Sequence, residues 1–442
     1  MSKALRLLWT IVLILAAVSY VFSSTETTLH NFTGGTDGAA PLGDLLYDPS
    51  TGLVYGTTNK GGGASNCPRG CGTVFSLHSD GSGYTVIYRF AGGVNDGANP
   101  QAGLTMDSSG NLYGTTYSGG AHNLGTIFKL TPIGGGLFSE TVLHSFSGAD
   151  GSHPLARLAF DTAGNLYGTT LSGGAHGRGV VFKFQPSGLE SIIYSFAGPD
   201  GSHPRAGVVF DANDNLWGTT SIGGGPNLGV LFRLTFNGTI WSETFLHSFA
   251  DTDGANPYAE VTLDAAGDVF GTTKSGGSPA CTFAPTGCGV VFEFQPSGNG
   301  FTENTIYAFT GGLDGAAPIA DLTLALDIAG NYYLYGTASE AGVVGGTCPA
   351  KGCGTAFELC GIGSSCQGSL TWTEYTLFDF VGRIGGKTPA AGMLAFSPVG
   401  ADSDSPNHFP PTGGHGKCTS GCMAPVSSGG ASGNGTIDGF TN

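Results

Sequence analysis

An all-β fold, a single β-propeller, is what this 442-residue sequence predicts, on three observations. One pattern recurs along the chain. Its clearest copies read Asn-Leu-Tyr-Gly-Thr-Thr, a Gly-Gly pair, Gly-Val-Val-Phe, a run ending in an aromatic residue, then Asp-Gly-x-x-Pro. The closing aromatic falls at Phe32, Phe90, Phe146, Phe196, Phe249, Phe309 and Phe380, at intervals of 50 to 71 residues. A period near 50 with several short strands per copy is the signature of a propeller. The composition agrees: 79 glycines, only 11% charged residues, and Thr, Val, Phe and Tyr in short runs favour strands and tight turns over helix.

The elements follow in order. Residues 1–24 read as an export signal, with Lys3 and Arg6 ahead of an apolar stretch from Leu7 to Val18 and small residues after it. An uncleaved N-terminal anchor is the rival, because Tyr20-Val21-Phe22 lengthens that stretch. Residues 25–399 hold the repeats. In the clearest unit, 155–196, the strands are expected at 155–161, 165–170, 179–184 and 191–196, each bounded by Gly, Pro, Asn or Asp. First strands recur near 42–47, 102–107, 155–161, 205–211, 259–264, 319–327 and 390–396. The segment 27–32 is a fourth-type strand standing alone at the start. Seven four-stranded blades closed by this N-terminal strand are therefore expected, with six or eight as alternatives; closure would remove an exposed sheet edge. Residues 400–442 lack the Asn-Leu-Tyr-Gly-Thr-Thr pattern and read as a degenerate last blade with a Gly/Ser-rich tail inclined to disorder.

On Asn-Leu-Tyr-Gly-Thr-Thr, Gly-Gly and Gly-Thr-Val-Phe, over residues 27–397, the chain resembles the choice-of-anchor GloVer tandem-repeat family of bacterial exported proteins. The resemblance implies an exported or surface-attached repeat protein and no particular reaction. The varied C-terminal anchoring signals of that family have no counterpart after Thr436 in this sequence.

The charge balance of −16, with no basic run beyond the N-terminus, argues against nucleic acid as a partner. A membrane enters only if residues 1–24 are retained. Ten cysteines fall in five close pairs: Cys67/Cys71, Cys281/Cys288, Cys348/Cys353, Cys360/Cys366 and Cys418/Cys422. In an exported chain they read as disulfides; zinc is the rival, but pairs in different repeats would rarely converge on one ion.

The Asp-Gly-x-x-Pro segments are expected on one rim, where Asp37, Asp96, Asp150, Asp200, Asp253 and Asp314 form a candidate ring for a cation such as calcium or a polar sugar. His153 and His203 stand in identical Asp-Gly-Ser-His-Pro segments and join them as candidates; His122, His176 and Tyr117 belong to the same rim. The structural reading of these residues is turn chemistry: an Asp before Gly accepts backbone N–H bonds, and the Gly supplies positive φ. No cofactor is otherwise indicated. No nucleophile elbow, zincin motif or phosphate loop appears. The sequence thus favours a non-enzymatic exported propeller that binds an extracellular glycan or protein, or serves as a scaffold. The alternative is an extracellular polysaccharide hydrolase or lyase with a His/Asp site on the loop rim.

Overall fold

The structure, a computed structural model, describes residues 25–277, 281, 286–298, 300–326, 332–342, 348, 351–361, 372–380, 386–389, 391–395, 422–429 and 434–441. Among these residues there is no helix long and apolar enough to cross a membrane. Six antiparallel sheets repeat the expected blade, with strands in chain order from first to fourth. Blade three is typical: Ala159–Phe160, Leu166–Thr170, Val180–Phe184 and Glu190–Ser195. Its first strand is shorter than expected, because residues 155–157 leave the sheet to line a central cavity.

The repeat pattern has a packing explanation. In each Gly-Thr-Thr the glycine lies against the phenylalanine of the third strand; a Cβ at Gly168 would stand 2.7 Å from the Phe182 ring. The first threonine donates to a carbonyl of the next blade: Thr169 Oγ1 to Ala206 O at 2.7 Å, Thr57 to Ala102 at 2.9 Å and Thr337 to Ala391 at 3.1 Å. The hydroxyl is thereby satisfied where water is excluded, and neighbouring blades are tied together. All seven closing aromatics, Phe32 to Phe380, are fully buried. They pack between adjacent blades, as where Phe196 meets Phe232 at 5.1 Å between ring centroids.

The expected seven regular four-stranded blades are corrected to six. In place of a seventh repeat-built blade, the ring is closed by a less regular sheet made from both ends of the chain. Thr25–Asn31 pairs with Thr436–Thr441, which pairs with Cys422–Gly429; Gly386–Pro389 and Leu394–Ala395 both pair with Cys422–Gly429. Two segments of the Ser/Gly-rich tail thus become strands. Met423 and Ile437 pack with Phe32 and with Val54 and Phe75 of blade one, while Val426 packs with Tyr335, Phe380 and Met393 on the blade-six side. Burial of these few apolar side chains is what draws a glycine-rich tail into the sheet.

Disulfides join Cys67–Cys71, Cys281–Cys288 and Cys348–Cys353. Cys360 is also disulfide-bonded. Cys366 and Cys418 lie outside the described residues, as do residues 1–24. Each of the three bridges spans four to seven residues of the loop after a second strand, so it stiffens a turn rather than linking distant parts of the chain.

Candidate functional site

The six predicted rim aspartates are brought into one repeated arrangement. Each takes a backbone N–H just after the closing Phe: Thr33 N to Asp37 at 2.8 Å, Ala91 N to Asp96 at 2.6 Å, Ser147 N to Asp150 at 2.8 Å, Ala197 N to Asp200 at 2.9 Å, Ala250 N to Asp253 at 2.8 Å and Thr310 N to Asp314 at 2.7 Å. This is the turn chemistry expected of Asp before Gly. The second carboxylate oxygen, or the same one where the turn is a residue longer as at Asp314, faces the His or Tyr of the preceding fourth strand. Tyr194 and Tyr307 donate to Asp200 and Asp314 at 2.6 and 3.0 Å, and His144 and His247 lie 2.9 and 3.1 Å from Asp150 and Asp253. The aspartates therefore sit at blade junctions and do not line the central cavity.

A glutamate from the following blade completes each of five junctions. Glu140 stands beside Asp96, Glu190 beside Asp150, Glu243 beside Asp200, Glu303 beside Asp253 and Glu374 beside Asp314. Burial first, and the neighbouring aspartate second, push each glutamate up to about 7; at Glu374 a Thr376 hydrogen bond partly offsets this. Sequence reasoning missed these acids. The signal was present, since four of them stand four residues before the strand-four His or Tyr of their own blade.

His153 and His203 have a backbone role. Ala40, Asn99, His153, His203, Asn256 and Ala317 occupy one slot before the proline, all left-handed with φ between 52° and 59°. The slot's N–H and C=O are both engaged: His153 N donates to Leu124 O at 2.7 Å and Leu171 N donates to His153 O at 3.2 Å. The His153 ring lies 4.5 Å from Tyr117, and His203 Nδ1 is 2.5 Å from Ser202 Oγ. Burial lowers both imidazoles; at His203, Arg178 and Arg205 add to the effect. Among the described residues no carboxylate lies within hydrogen-bonding distance of either ring; the Ser202 hydroxyl is the side-chain partner of His203.

The central cavity, about 90 Å³, is lined by the residues that follow the proline in successive repeats. Here the repeat breaks. Three residues after Pro41, Pro100, Pro154, Pro204, Pro257, Pro318 and Pro389 stand Asp44, Gly103, Arg157, Gly207, Glu260, Asp321 and Gly392. The charged side chains meet across the space the glycines leave. Arg157 binds Glu260 at 2.6 Å, and Asp321 Oδ1 accepts Glu260 N at 2.6 Å. Asp44 Oδ1 accepts Gly392 N at 2.5 Å. A Cβ at Gly207 would collide with the Glu260 carboxylate. Burial, then Asp44 and Glu260 nearby, hold the Asp321 carboxyl well above its usual range, and burial also raises Glu260 against the pull of Arg157.

Above this floor, Arg205 and Tyr258 line the same cavity one residue after their prolines. The Arg205 guanidinium lies 4.5 Å from the Tyr258 ring centroid and the Lys274 ammonium 4.9 Å from it. All three side chains are half-buried. Both cations lie over the Tyr258 ring, whose negative face holds them together as one positively charged group beside the cavity.

Fold and lining together define a repeat-built β-propeller whose central cavity carries its most individual residues. The chain belongs to the Gloeobacter/Verrucomicrobia repeat family, whose pattern matches residues 17–177 and 159–397. No curated protein matches it. Among solved structures it is similar to the extracellular domain of BT4673 from B. thetaiotaomicron, at 10% identity and a TM-score of 0.50 over 94% of this chain and 40% of that one. It is also similar to the gluconolactonase XC5397 from Xanthomonas campestris, at 13% identity and a TM-score of 0.41 over 71% and 86% of the two chains. A protein of unknown function from Dyadobacter fermentans matches at 11% identity and a TM-score of 0.42 over 94% and 96%. Likeness at these identities concerns the fold alone.

Proposed function

We propose that this protein is an exported, non-enzymatic propeller that binds an extracellular polymer over the mouth of its central cavity, with an anionic glycan as the ligand class. The observation that carries the reading is the Arg205–Tyr258–Lys274 stack on the cavity lip. The phenol holds guanidinium and ammonium donors side by side, and a uronate or sulfate group is met by those donors. The disulfides and the leader-like residues 1–24 support export. The floor of Asp44, Arg157, Glu260 and Asp321 is already internally paired, so it shapes the cavity rather than offering a free acid and base.

A thermal-shift screen against uronate-rich, sulfated and neutral polysaccharides tests this. A ligand at about 100 times its dissociation constant adds roughly 2.7 kcal/mol of stability. The expected result is a shift with acidic polysaccharide that vanishes in Arg205→Ala and Tyr258→Ala. A shift unchanged in both variants places binding elsewhere, and no shift with any polysaccharide overturns the glycan reading.

A further inference from the structure

We propose that His144, Asp150 and Glu190, and again His247, Asp253 and Glu303, form two equivalent sites for a divalent metal ion of the zinc class, each clamping two neighbouring blades. In each trio a nitrogen and two carboxylate oxygens lie within 4.8 Å of one another. Zinc ligands about 2.0–2.2 Å from the ion stand roughly 3.3 Å apart around a tetrahedron. His247 Nε2 lies 3.1 Å from Asp253 Oδ2 and 3.7 Å from Glu303 Oε2, and His144 Nε2 lies 2.9 Å from Asp150 Oδ2. Small side-chain rotations suffice to close these sets on an ion and leave a fourth position for water. An imidazole with two carboxylates suits zinc or its first-row neighbours better than the all-oxygen preference of calcium.

The aspartates are oriented for the task. Asp150 Oδ1 is held by Ser147 N and Oγ at 2.8 and 2.9 Å, and Asp253 Oδ1 by Ala250 N at 2.8 Å. In both cases Oδ2 is the oxygen turned to the histidine. Such outer hydrogen bonds fix a ligand before the ion arrives. The trio is also reachable, since His247, Asp253 and Glu303 keep about a fifth of their surface exposed.

The molecule carries its own controls. At three other junctions the same place is taken by Tyr88, Tyr194 and Tyr307, beside Asp96 with Glu140, Asp200 with Glu243, and Asp314 with Glu374. Two adjacent carboxyls need either a shared proton or a cation. One carboxylate oxygen is buried without a hydrogen-bond partner at Glu140 and Glu243 as well as at Glu190 and Glu303, so that feature marks the carboxyl pair itself. A neutral phenol offers that pair a hydrogen bond but little as a ligand. The imidazole adds the lone pair that turns a proton-sharing pair into a coordination set.

The test is metal loading of the purified full chain. The protein is stripped with a chelator and titrated separately with Zn²⁺, Co²⁺ and Ca²⁺, with bound metal measured after gel filtration and the cobalt visible spectrum recorded. Two Zn²⁺ or Co²⁺ per chain and no Ca²⁺ at these sites are expected. His144→Tyr and His247→Tyr each convert one trio to the form the protein already folds around at three junctions. Each is expected to remove one ion, and the double variant both, with the zinc-dependent rise in Tm lost in step. No retained transition metal in the parent protein overturns the proposal, and so does a double variant that still binds two ions, which would assign the binding to other histidines.

Discussion

The blade junctions and the central cavity are built from the same repeat and obey opposite rules. At the junctions six aspartates each hold one turn, five of them at 2.6 to 3.1 Å from a strand-four His or Tyr or within its hydrogen-bonding shell, and the partner changes only between those two residue types. A few residues further along, the cavity position runs Asp44, Gly103, Arg157, Gly207, Glu260, Asp321, Gly392, and no two neighbours agree. A residue every blade needs is kept because every blade makes the same turn. A residue no two adjacent blades share is free of that demand, and its side chains answer to one another. Repetition therefore marks the scaffold, and the break in repetition marks the place where this chain is individual.

The largest expected effect breaks this comparison on the cavity side. Arg157 is the only cation among the four charged floor residues, and Glu260 is 8% exposed at its side chain. Arg157→Met keeps most of the volume and leaves three acids facing each other. Removing one partner of a buried pair costs about 3–5 kcal/mol. Urea unfolding should show a loss of that order with the slope unchanged. A loss below about 1 kcal/mol would mean water screens the floor as it screens a surface pair, and the two regions would cease to differ.

Next is the pH response of the junctions. Glu140, Glu190, Glu243, Glu303 and Glu374 are raised from an ordinary 4.5 to about 7 in the folded chain. Between those values the folded state binds more protons than the unfolded one, so stability is full below about 4.5 and is lost as pH rises through 7. The depressed carboxyls of Asp150 and Asp161 act in the opposite sense and only as pH falls below their ordinary 3.8. The lowered imidazoles of His30, His153, His203 and His247 also act in the opposite sense, contributing stability above pH 6.5 that is lost as pH falls. The five glutamates outnumber them, so in metal-free buffer Tm should still fall from pH 5 to pH 8. A flat profile across that window would show that the carboxyl pairs are hydrated and titrate independently.

How much of this was legible in the sequence follows from the same contrast. The closing aromatics could be read because an apolar residue recurring at blade spacing has one use, and all seven are fully buried. The Gly-Thr-Thr strands could be read because the spacing is short and local. The closing sheet could be read only in part: Thr25–Asn31 announces a lone strand, but Thr436–Thr441 has too few apolar residues to signal one until Ile437 is seen filling the gap beside Phe32. The rim aspartates were visible as residues, whereas their direction was not. The glutamates partner an aspartate of the preceding connection, 40 to 60 residues away in the sequence, and no local pattern reports such a neighbour. The cavity residues needed the repeats to be aligned and the mismatches kept.

Asp200→Asn sharpens the junction side. The amide still accepts Ala197 N but offers only one oxygen where the carboxylate uses two, against Ala197 N at 2.9 Å and Tyr194 Oη at 2.6 Å. A cost of about 1 kcal/mol is expected in thermal or urea unfolding, since one hydrogen bond is weakened and the turn survives. A loss as large as that of Arg157→Met would mean the junction acids carry more than a turn.

The smallest effect concerns His153. Its slot is left-handed with φ 58°, and Asn99 and Asn256 fill the same slot at φ 59° and 55°. Asparagine tolerates this conformation better than other non-glycine residues, because its short amide bonds locally. Asn99 Nδ2 donates to Asn59 O at 3.0 Å and Asn256 Nδ2 to Ser221 O at 2.9 Å, so an asparagine at 153 has the corresponding Tyr117 carbonyl within reach. His153→Asn should leave stability within about 0.5 kcal/mol of the parent, on the stable side if anything, as expected for a substitution that keeps the backbone and its bonds. Acidic-polysaccharide binding should persist, because the Arg205–Tyr258–Lys274 stack is untouched. Loss of binding with stability intact would give His153 a role at the ligand that its place in the turn does not require, and would move the functional weight of the molecule from the broken position in the cavity back to the repeated one on the rim.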